Sequence, residues 1–318
     1  MKAIVIYEPG GPEKLIYTDV PTPEVKPGWS LVKVRGFGIN HSEIFTRQGL
    51  SPSVNFPRIL GIECVGTIAE TTEPARLSIG QTIISIMGEM GRDFDGSYAE
   101  YVLLPNEQIY PIQSDLSWDC LAALPETYYT AFGSLLNLKL KPDDRVLIRG
   151  ASSGVGIAAL RLVRGKYPNM HVDGTSRDKR KNGLLQCEGF DCIILDQNGQ
   201  LKTTQLYDKV LELIGPAALR DTFAHTHENG IVCSTGQLGG KWYLDDHFDP
   251  IIDLPANGYL TSFYSGNVDQ KRLQALLDYV AHYHIDVHPE HIYSLKDVPK
   301  AHANLDNSKD FGKCVVVL

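Results

Sequence analysis

The chain has 318 residues, 43% of them hydrophobic and 21% charged, and a formal net charge of -8. This length predicts more than one domain, and the negative charge argues against an extended nucleic-acid surface, which needs clustered Lys and Arg. No stretch has the apolar length of a signal peptide or a membrane span, and the six cysteines form no C-x-x-C pair. We therefore expect a globular cytoplasmic protein with reduced thiols that binds neither nucleic acid nor membranes.

The N-terminal third of the chain is rich in Gly, Pro and short β-like runs such as "AIVIY", "SLVKVRGFG" and "QTIISIMG". Short strands at regular spacing, with Gly and Pro between them, predict a compact, partly open β-barrel. The pattern then becomes helical in "CLAALPETYYTAFGSLLNL", where Pro125 lies close to a helix junction.

Strands and helices alternate from residue 145 onwards. We predict strands over 145–149, 171–175, 192–196, 207–213, 230–235 and 259–264, and helices over 154–166, 178–188 and 216–227. Repeated βα units predict a parallel sheet with helices on both faces. The segment between residues 196 and 207 leaves room only for a very short crossover helix. "VDQKRLQALLDYVAHYH" predicts an amphipathic helix, and we expect the last strand, in "FGKCVVVL", to return to the first domain.

The segment "RVLIRGASSGVG", at 145–156, reads as a strand, a tight turn of small residues and the start of a helix. This geometry directs backbone N–H groups at a pyrophosphate. The strict G-x-G-x-x-G spacing is not met, because its three positions hold Ala151, Ser153 and Gly156. An ordinary α/β loop is the alternative. The residues predicted to contact the pyrophosphate are Ser152, Ser153, Gly154 and Val155.

The end of the second strand of this domain predicts the cofactor. The strand "HVDGT" runs into Ser176 and Arg177 rather than into the carboxylate that binds the ribose 2′-OH of NAD. Arg177 can bind a 2′-phosphate through two parallel N–H groups, Lys181 adds a positive charge and Ser176 a hydroxyl. The prediction is therefore NADPH. In the alternative register, Asp173 becomes the ribose carboxylate and NADH is favoured.

Further segments carry a family resemblance: "FGINHSEIFTRQG", "PRILGIECVGTI", "DGSYAEYVLLP", "LPETYYTAFGSL" and "DVPKAHANLDNSKDFGKCVVVL". With them the chain resembles the zinc-independent medium-chain dehydrogenases/reductases of the quinone oxidoreductase type. The resemblance implies an α/β fold, with a GroES-like β-barrel-type catalytic domain over 1–120 and 266–318 and a Rossmann doubly wound parallel sheet over 121–265. It also implies NADPH-dependent hydride transfer to a small-molecule quinone or α,β-unsaturated carbonyl.

The resemblance also implies that no metal is bound. Asn40, Ile62 and Glu126 occupy the positions of the three catalytic-zinc ligands of related alcohol dehydrogenases, and isoleucine cannot ligate. A site improvised from His41, Glu63 and Glu126 is the alternative. The histidines at 282, 284, 288 and 291 are expected to be surface residues rather than ligands.

Residues at the reacting end of the cofactor are also candidates. Thr130, in "YYTAFGSL", matches the family threonine that lies against the nicotinamide. Its alternative role is a helix hydroxyl bonded to a carbonyl one turn back. Thr235 and Gly236, in "CSTGQLGG", follow the fifth strand, and loops at strand C-terminal ends border the cofactor crevice.

The expected catalytic residues are hydrogen-bond donors to the oxyanion that forms on the substrate: Asn40, Ser42 and Tyr128. Asn40 matches the asparagine of the family's substrate-domain motif, and Arg47 of the same motif serves either there or in a structural ion pair. Several quinone reductases have a tyrosine where this chain has Phe45. An NADPH-binding sensor with little or no turnover is therefore the alternative function. A homodimer is expected by analogy.

Overall fold

The structure is a computed structural model that describes residues 1–51, 53–245, 247–307 and 311–318. Its strands, in chain order, are β1 (Lys2–Ile6), β2 (Leu15–Asp19), β3 (Trp29–Gly38), β4 (Arg58–Ile59), β5 (Glu63–Thr71), β6 (Thr82–Ile86), β7 (Tyr101–Pro105), β8 (Tyr110–Pro111), β9 (Arg145–Arg149), β10 (His171–Ser176), β11 (Ile193–Gln197), β12 (Gln200–Leu201), β13 (Tyr207–Glu212), β14 (Thr226–Ser234), β15 (Tyr259–Ser262), β16 (His291–Tyr293) and β17 (Cys314–Val317). Its α-helices are α1 (His41–Arg47), α2 (Trp118–Ala123), α3 (Tyr129–Leu138), α4 (Gly154–Lys166), α5 (Asn182–Glu188), α6 (Leu219–Ala224), α7 (Pro250–Asp253), α8 (Gln270–His282) and α9 (Val298–Asp306). A π-helical turn, Leu124–Tyr128, joins α2 to α3 at the predicted junction.

The chain folds as two compact units. The first unit comprises residues 1–127, 265–278 and 287–318, and the second comprises residues 128–264 and 279–286. These units differ from the sequence-based division at residues 121–127 and 265, which lie in the first unit, and at residues 279–286, which lie in the second. The reason for the last difference is the packing of Tyr279, whose hydroxyl donates to the Leu162 carbonyl at 3.1 Å and whose ring contacts Phe132 edge-on at 5.4 Å.

The first unit is built on a mixed sheet in the order β16-β17-β3-β5-β6-β8, in which β16 and β17 are parallel and the other pairs antiparallel, with β7 also paired to β3, and on a small sheet β2-β1-β4. The ten-residue β3 pairs with β5, β7 and β17 along its length, and its register against β5 shifts at two points. Its inward side chains Val32, Val34 and Phe37 are at most 1% exposed and form the core with Tyr98 and Val316. The expected partly open β-barrel and the return of the last strand to it are confirmed.

The second unit contains a sheet in the order β12-β11-β10-β9-β13-β14-β15. Every neighbouring pair from β11 to β15 is parallel, which confirms the doubly wound sheet. Val146, Leu147 and Ile148 of the central β9 are 0% exposed, as expected for a strand covered on both faces. Helix α4 has the bounds predicted for it and packs against β9 and α3.

The connection from β11 to β13 differs from the prediction. Residues 196–207 contain no helix; β11 turns back into β12, with Asp196 opposite Leu201. Asn198 and Gly199 take positive φ angles of 55° and 75° at this turn. Asn-Gly favours tight hairpins because both residues tolerate that conformation, so the prediction of a short crossover helix was wrong.

Among the described residues, none of the helices combines the length and the apolar character that crossing a membrane requires.

Candidate active site

The turn after β9 is tied to the end of β10. Gly150 has φ +93°, and its N–H donates to the Thr175 hydroxyl at 3.0 Å, while the Ala151 N–H donates to the Thr175 carbonyl at 3.2 Å. A positive φ favours glycine at this point, because a Cβ would be strained. The turn is therefore held at the carboxyl edge of the parallel sheet.

Helix α4 starts directly from this turn. Ser153 caps it, accepting from the Gly156 N–H at 3.1 Å and donating to the Gly150 carbonyl at 2.8 Å. A Cβ on Gly156 would lie 2.6 Å from the Ala151 carbonyl, so the helix can begin this close to the turn only with glycine there. The first N–H groups of a helix have no intrahelical acceptor. The residues that surround them are half-exposed: Ser152, Ser153, Gly154 and Val155. These features fit a diphosphate.

A buried ion-pair cluster lies at the end of β9, next to the turn. Arg149, the last residue of β9, is 0% exposed; its Nε donates to Asp196 at 2.8 Å and its Nη1 to the Thr222 hydroxyl at 2.7 Å. The Thr222 hydroxyl also donates to Glu212, whose Oε1 accepts the N–H of Gly215 at 3.1 Å. The sequence-based prediction missed this cluster, although charges within apolar strands, as in "RVLIR" and "VLELI", were a signal for it.

The end of β10 carries the residues predicted to select the cofactor. Arg177 is exposed and Lys181 is half-buried. The Ser176 hydroxyl donates to the Asp178 carbonyl and accepts the Asp178 N–H, so it stabilises the local turn. The prediction also overlooked the carboxylate of Asp178. Arg180 binds that carboxylate at 2.8 Å and lowers the pKa of Asp178 to about 2.

Asp173 lies in the core, not at the strand tip. It is 1% exposed, and its Oδ2 accepts from the Tyr207 hydroxyl at 2.9 Å and from Arg145 at 3.2 Å. Its Oδ1 lies 2.9 Å from His171 Nε2. These partners hold the carboxylate inside the sheet, which disfavours the alternative register with Asp173 as the ribose ligand.

Helix α3 and the loop after β14 meet through side-chain hydroxyls. Ser134 Oγ donates to the Thr130 carbonyl at 2.7 Å and lies 2.9 Å from Thr235 Oγ1. Thr130 is 7% exposed. A Cβ on Gly236 would lie 2.3 Å from the Leu213 carbonyl, which requires glycine there. Thr130, Thr235 and Gly236 are thus brought to one region of the second unit, with Ser134 as an unforeseen link.

Asn40 belongs to a buried polar network of the first unit. Its Nδ2 donates to Glu63 Oε1 at 2.8 Å, and the Lys313 ammonium donates to both Asn40 Oδ1 and Glu63 Oε1 at 2.8 Å. The Glu43 carboxylate accepts the N–H groups of Asn40 and Ile62 at 2.6 and 3.2 Å. Burial, and then the charge of Glu63, raise the pKa of Glu43 to about 8. The network fixes the orientation of the Asn40 amide.

The other residues predicted around the substrate have different surroundings. Ser42 is half-buried and its hydroxyl accepts from Arg92 Nη2 at 3.0 Å. Tyr128 is 2% exposed, and its hydroxyl lies 3.5 Å from the Asp286 carbonyl and 3.5 Å from Arg161 Nη1. The Tyr128 hydroxyl thus lies inside the second unit, and its role as a donor to the substrate stays a prediction.

Arg47 is an ion-pair residue of the first unit. It is 1% exposed, binds Asp306 at 2.7 Å and donates to the Gly10 carbonyl at 3.1 Å. Its Nη1 lies 3.4 Å from His302 Nδ1. Burial, assisted by this guanidinium, lowers the pKa of His302 to about 3. These contacts favour a structural ion pair over a role at the substrate, the two roles considered for Arg47.

The residues at the zinc-ligand positions do not fit zinc. Ile62 is 3% exposed and has no donor atom. The Oδ1 of Asn40 and the Oε1 of Glu63 both bind the Lys313 ammonium, which already supplies positive charge at this point. The Glu63 Oε2 accepts the Glu126 N–H at 2.5 Å, so neither oxygen of this carboxylate is available as an improvised ligand.

Two family models match the chain. One, described as the alcohol dehydrogenase GroES-like domain, matches residues 26–114, and the other, described as zinc-binding dehydrogenase, matches residues 189–316. Together they cover parts of both compact units.

Individual relatives and solved structures agree with these matches. The chain is 32% identical to the quinone oxidoreductase of Lama guanicoe over 248 residues, which are 75% of this chain and 74% of the relative. The quinone oxidoreductase from Coxiella burnetii has the same fold, with a TM-score of 0.82 over 100% of this chain and 99% of that one, at 24% identity. The yhdH oxidoreductase from Salmonella enterica, solved in complex with NADP, has a TM-score of 0.85 over 100% of both chains, at 20% identity. The chain therefore belongs to the quinone oxidoreductase family of the medium-chain dehydrogenases/reductases, a family of oxidoreductase enzymes.

Proposed function

We propose that the chain is an NADPH-dependent reductase that transfers a hydride to a quinone or an α,β-unsaturated carbonyl without using zinc. The observation that carries the proposal is the end of β10, where Arg177 is exposed and the nearby carboxylates are engaged elsewhere. Asp173 is held in the core and Asp178 is bound to Arg180. A 2′-phosphate would therefore meet a guanidinium without an opposing free carboxylate.

The second unit supplies the binding groups for the cofactor. The N–H groups at the start of α4 bind the diphosphate, because they point out of the helix and carry its positive dipole end. Arg177 and Lys181 bind the 2′-phosphate. Thr130, Thr235 and Gly236 lie against the nicotinamide half. Bound NADPH would supply the hydride, and the name of the Salmonella enterica neighbour records NADP bound to that protein.

Asn40 is the residue that we propose for the substrate. Lys313 occupies its Oδ1 and Glu63 takes one hydrogen of its Nδ2, so the amide has one fixed orientation. The second Nδ2 hydrogen can then be donated to the oxygen on which negative charge develops, an interaction that strengthens in the transition state. Ser42 retains its own hydroxyl hydrogen while it accepts from Arg92, and it is the second candidate donor.

The test is the oxidation of NADPH and NADH with 9,10-phenanthrenequinone, p-benzoquinone and simple enones. Arg177→Ala removes charge-assisted hydrogen bonds of about 1.5–3 kcal/mol, so KM for NADPH should rise about 10- to 100-fold. The KM for NADH should not change. Lys179→Ala, an exposed basic residue two positions on, is the matched control and should leave both values unchanged.

Other outcomes distinguish the alternatives. A lower KM for NADH than for NADPH would refute the cofactor assignment. Loss of activity on adding a chelator, with the circular dichroism spectrum unchanged, would refute catalysis without zinc. Tight binding of NADPH with no oxidation by any acceptor would favour the sensor function that Phe45 leaves open.

Two properties outside the site complete the proposal. The six cysteines form no disulfide, which suits a reducing compartment, and we propose the cytoplasm. Strand β15 lies at the end of the parallel sheet, where Tyr259 and Leu260 are 63% and 40% accessible. We propose that β15 pairs with the same strand of a second copy of the chain to form a homodimer.

A further inference from the structure

Three potential metal ligands converge in the first unit, apart from the polar network of Asn40. Asp119 and Cys120 lie in the first turn of α2, and His288 lies in the segment between α8 and β16. One donor atom from each residue lies within 4.8 Å of the other two. The His288 Nδ1 is 3.3 Å from Asp119 Oδ2 and 3.9 Å from Cys120 Sγ.

The ring nitrogen that Asp119 and Cys120 contact distinguishes a metal site from a catalytic proton relay. In a Cys–His–Asp proton relay, the thiol and the carboxylate contact opposite nitrogens of the imidazole ring. Here both contact the same nitrogen, Nδ1. The carboxylate, the thiol and the imidazole therefore face a common point, as ligands around a metal ion do.

The separations are those of a tetrahedral zinc site. With Zn–N and Zn–O bonds of about 2.0–2.2 Å and a Zn–S bond of about 2.3 Å, tetrahedral angles place N and O about 3.4 Å apart and N and S about 3.6 Å apart. The two separations from His288, 3.3 and 3.9 Å, require shifts of only a few tenths of an ångström, and the oxygen of Asp119 and the sulfur of Cys120 lie within 4.8 Å of each other.

We propose that Asp119, Cys120 and His288 form a Zn²⁺ site in the first unit, with water as the fourth ligand. The donor set is one carboxylate, one thiolate and one imidazole, so the two anionic ligands balance the charge of the ion. Binding replaces the proton of the Cys120 thiol, which is released to solvent. The ion joins the six-residue α2 to the chain segment that leads into β16.

This proposal departs from the sequence-based expectation, which took His288 for a surface residue rather than a ligand. That expectation considered only ligands close to it in the sequence, whereas the partners here come from α2, far away along the chain. The His288 side chain is 58% exposed and the Asp119 side chain 23%, which leaves a path for the ion and room for a bound water.

The experiment titrates the reduced full chain, freed of metal, with Co²⁺ and then displaces Co²⁺ with Zn²⁺. We expect one equivalent to bind, with visible bands of tetrahedral cobalt and a thiolate-to-cobalt charge-transfer band in the near ultraviolet. Cys120→Ser should abolish the charge-transfer band. His288→Ala should weaken Zn²⁺ binding at least about 100-fold, since even residues that only orient a ligand contribute 10- to 100-fold.

Two matched controls use exposed residues of the same types, Cys187→Ser and His282→Ala. Both should leave the spectrum and the affinity unchanged, and circular dichroism checks that each variant is folded. Absence of saturable binding would overturn the proposal, as would a charge-transfer band that disappears with Cys187→Ser and persists with Cys120→Ser.

Discussion

Glu43 makes the stability of the first unit depend on pH. It is 1% exposed, and burial beside Glu63 raises its pKa from 4.5 to about 8. In the unfolded chain this carboxyl loses its proton above about pH 4.5, but in the folded protein it keeps the proton up to about pH 8. Between these values the folded state binds more protons, so the free energy of unfolding falls as the pH rises. The change tested is Glu43→Gln, which removes the titration and keeps the size.

The magnitude follows from the two pKa values. Over most of the interval from pH 5 to pH 8, the folded protein binds nearly one proton more than the unfolded chain. At 1.36 kcal/mol per pH unit, the free energy of unfolding then falls by about 3.5 kcal/mol across this interval. The Glu43→Gln variant lacks this contribution. Its free energy of unfolding, relative to that of the unchanged protein, should therefore increase by about 3.5 kcal/mol over the same interval.

Urea unfolding at pH 5, 6, 7 and 8, followed by tryptophan fluorescence, measures this difference. Trp29 and Trp118 both lie in the first unit and report on it. Glu24→Gln removes an exposed carboxyl of the same unit and is the matched control. If the curves of Glu43→Gln and the unchanged protein ran parallel from pH 5 to pH 8, Glu43 would not be the protonated group that its surroundings imply.

Three further outcomes are expected. Lys313→Met should lower the free energy of unfolding by about 3–5 kcal/mol, because it leaves Glu63 buried without its counter-charge. Urea unfolding measures this change, and Lys33→Met, at an exposed lysine, is the control. Gly156→Ala should weaken NADPH binding at least about tenfold, since the methyl group displaces the start of α4; calorimetry with an unchanged value would contradict the account of the turn. Tyr259→Lys should convert the proposed homodimer to a monomer in analytical ultracentrifugation, as like charges then meet at the paired edge.

Elements whose signals are local could be predicted from the sequence. The apolar run Val146, Leu147 and Ile148 and the small residues after it predicted β9, the turn and α4 within a residue or two. The same kind of signal was present but not used in "QNGQ", where Asn198 and Gly199 form a hairpin in place of the expected helix.

The candidate site could be predicted only in part, because its electrostatics depend on residues far apart in the chain. The Lys313 ammonium meets Asn40 and Glu63 only after β17 has joined the sheet of β3. Likewise, the core partners of Asp173 come from other strands, and they decide between the two registers considered for β10. Contacts between residues so far apart in the chain cannot be predicted from their spacing in the sequence.

The position of β17 in the sheet determines which of the two units can complete its fold first during synthesis. It pairs with both β16 and β3, so the sheet of the first unit lacks a member until the ribosome has translated residue 317. The second unit needs nothing beyond residue 286. Nascent chains usually fold domain by domain from the N-terminus; here we expect the second unit to complete its fold first, because the end of β3 has no partner until β17 has been made.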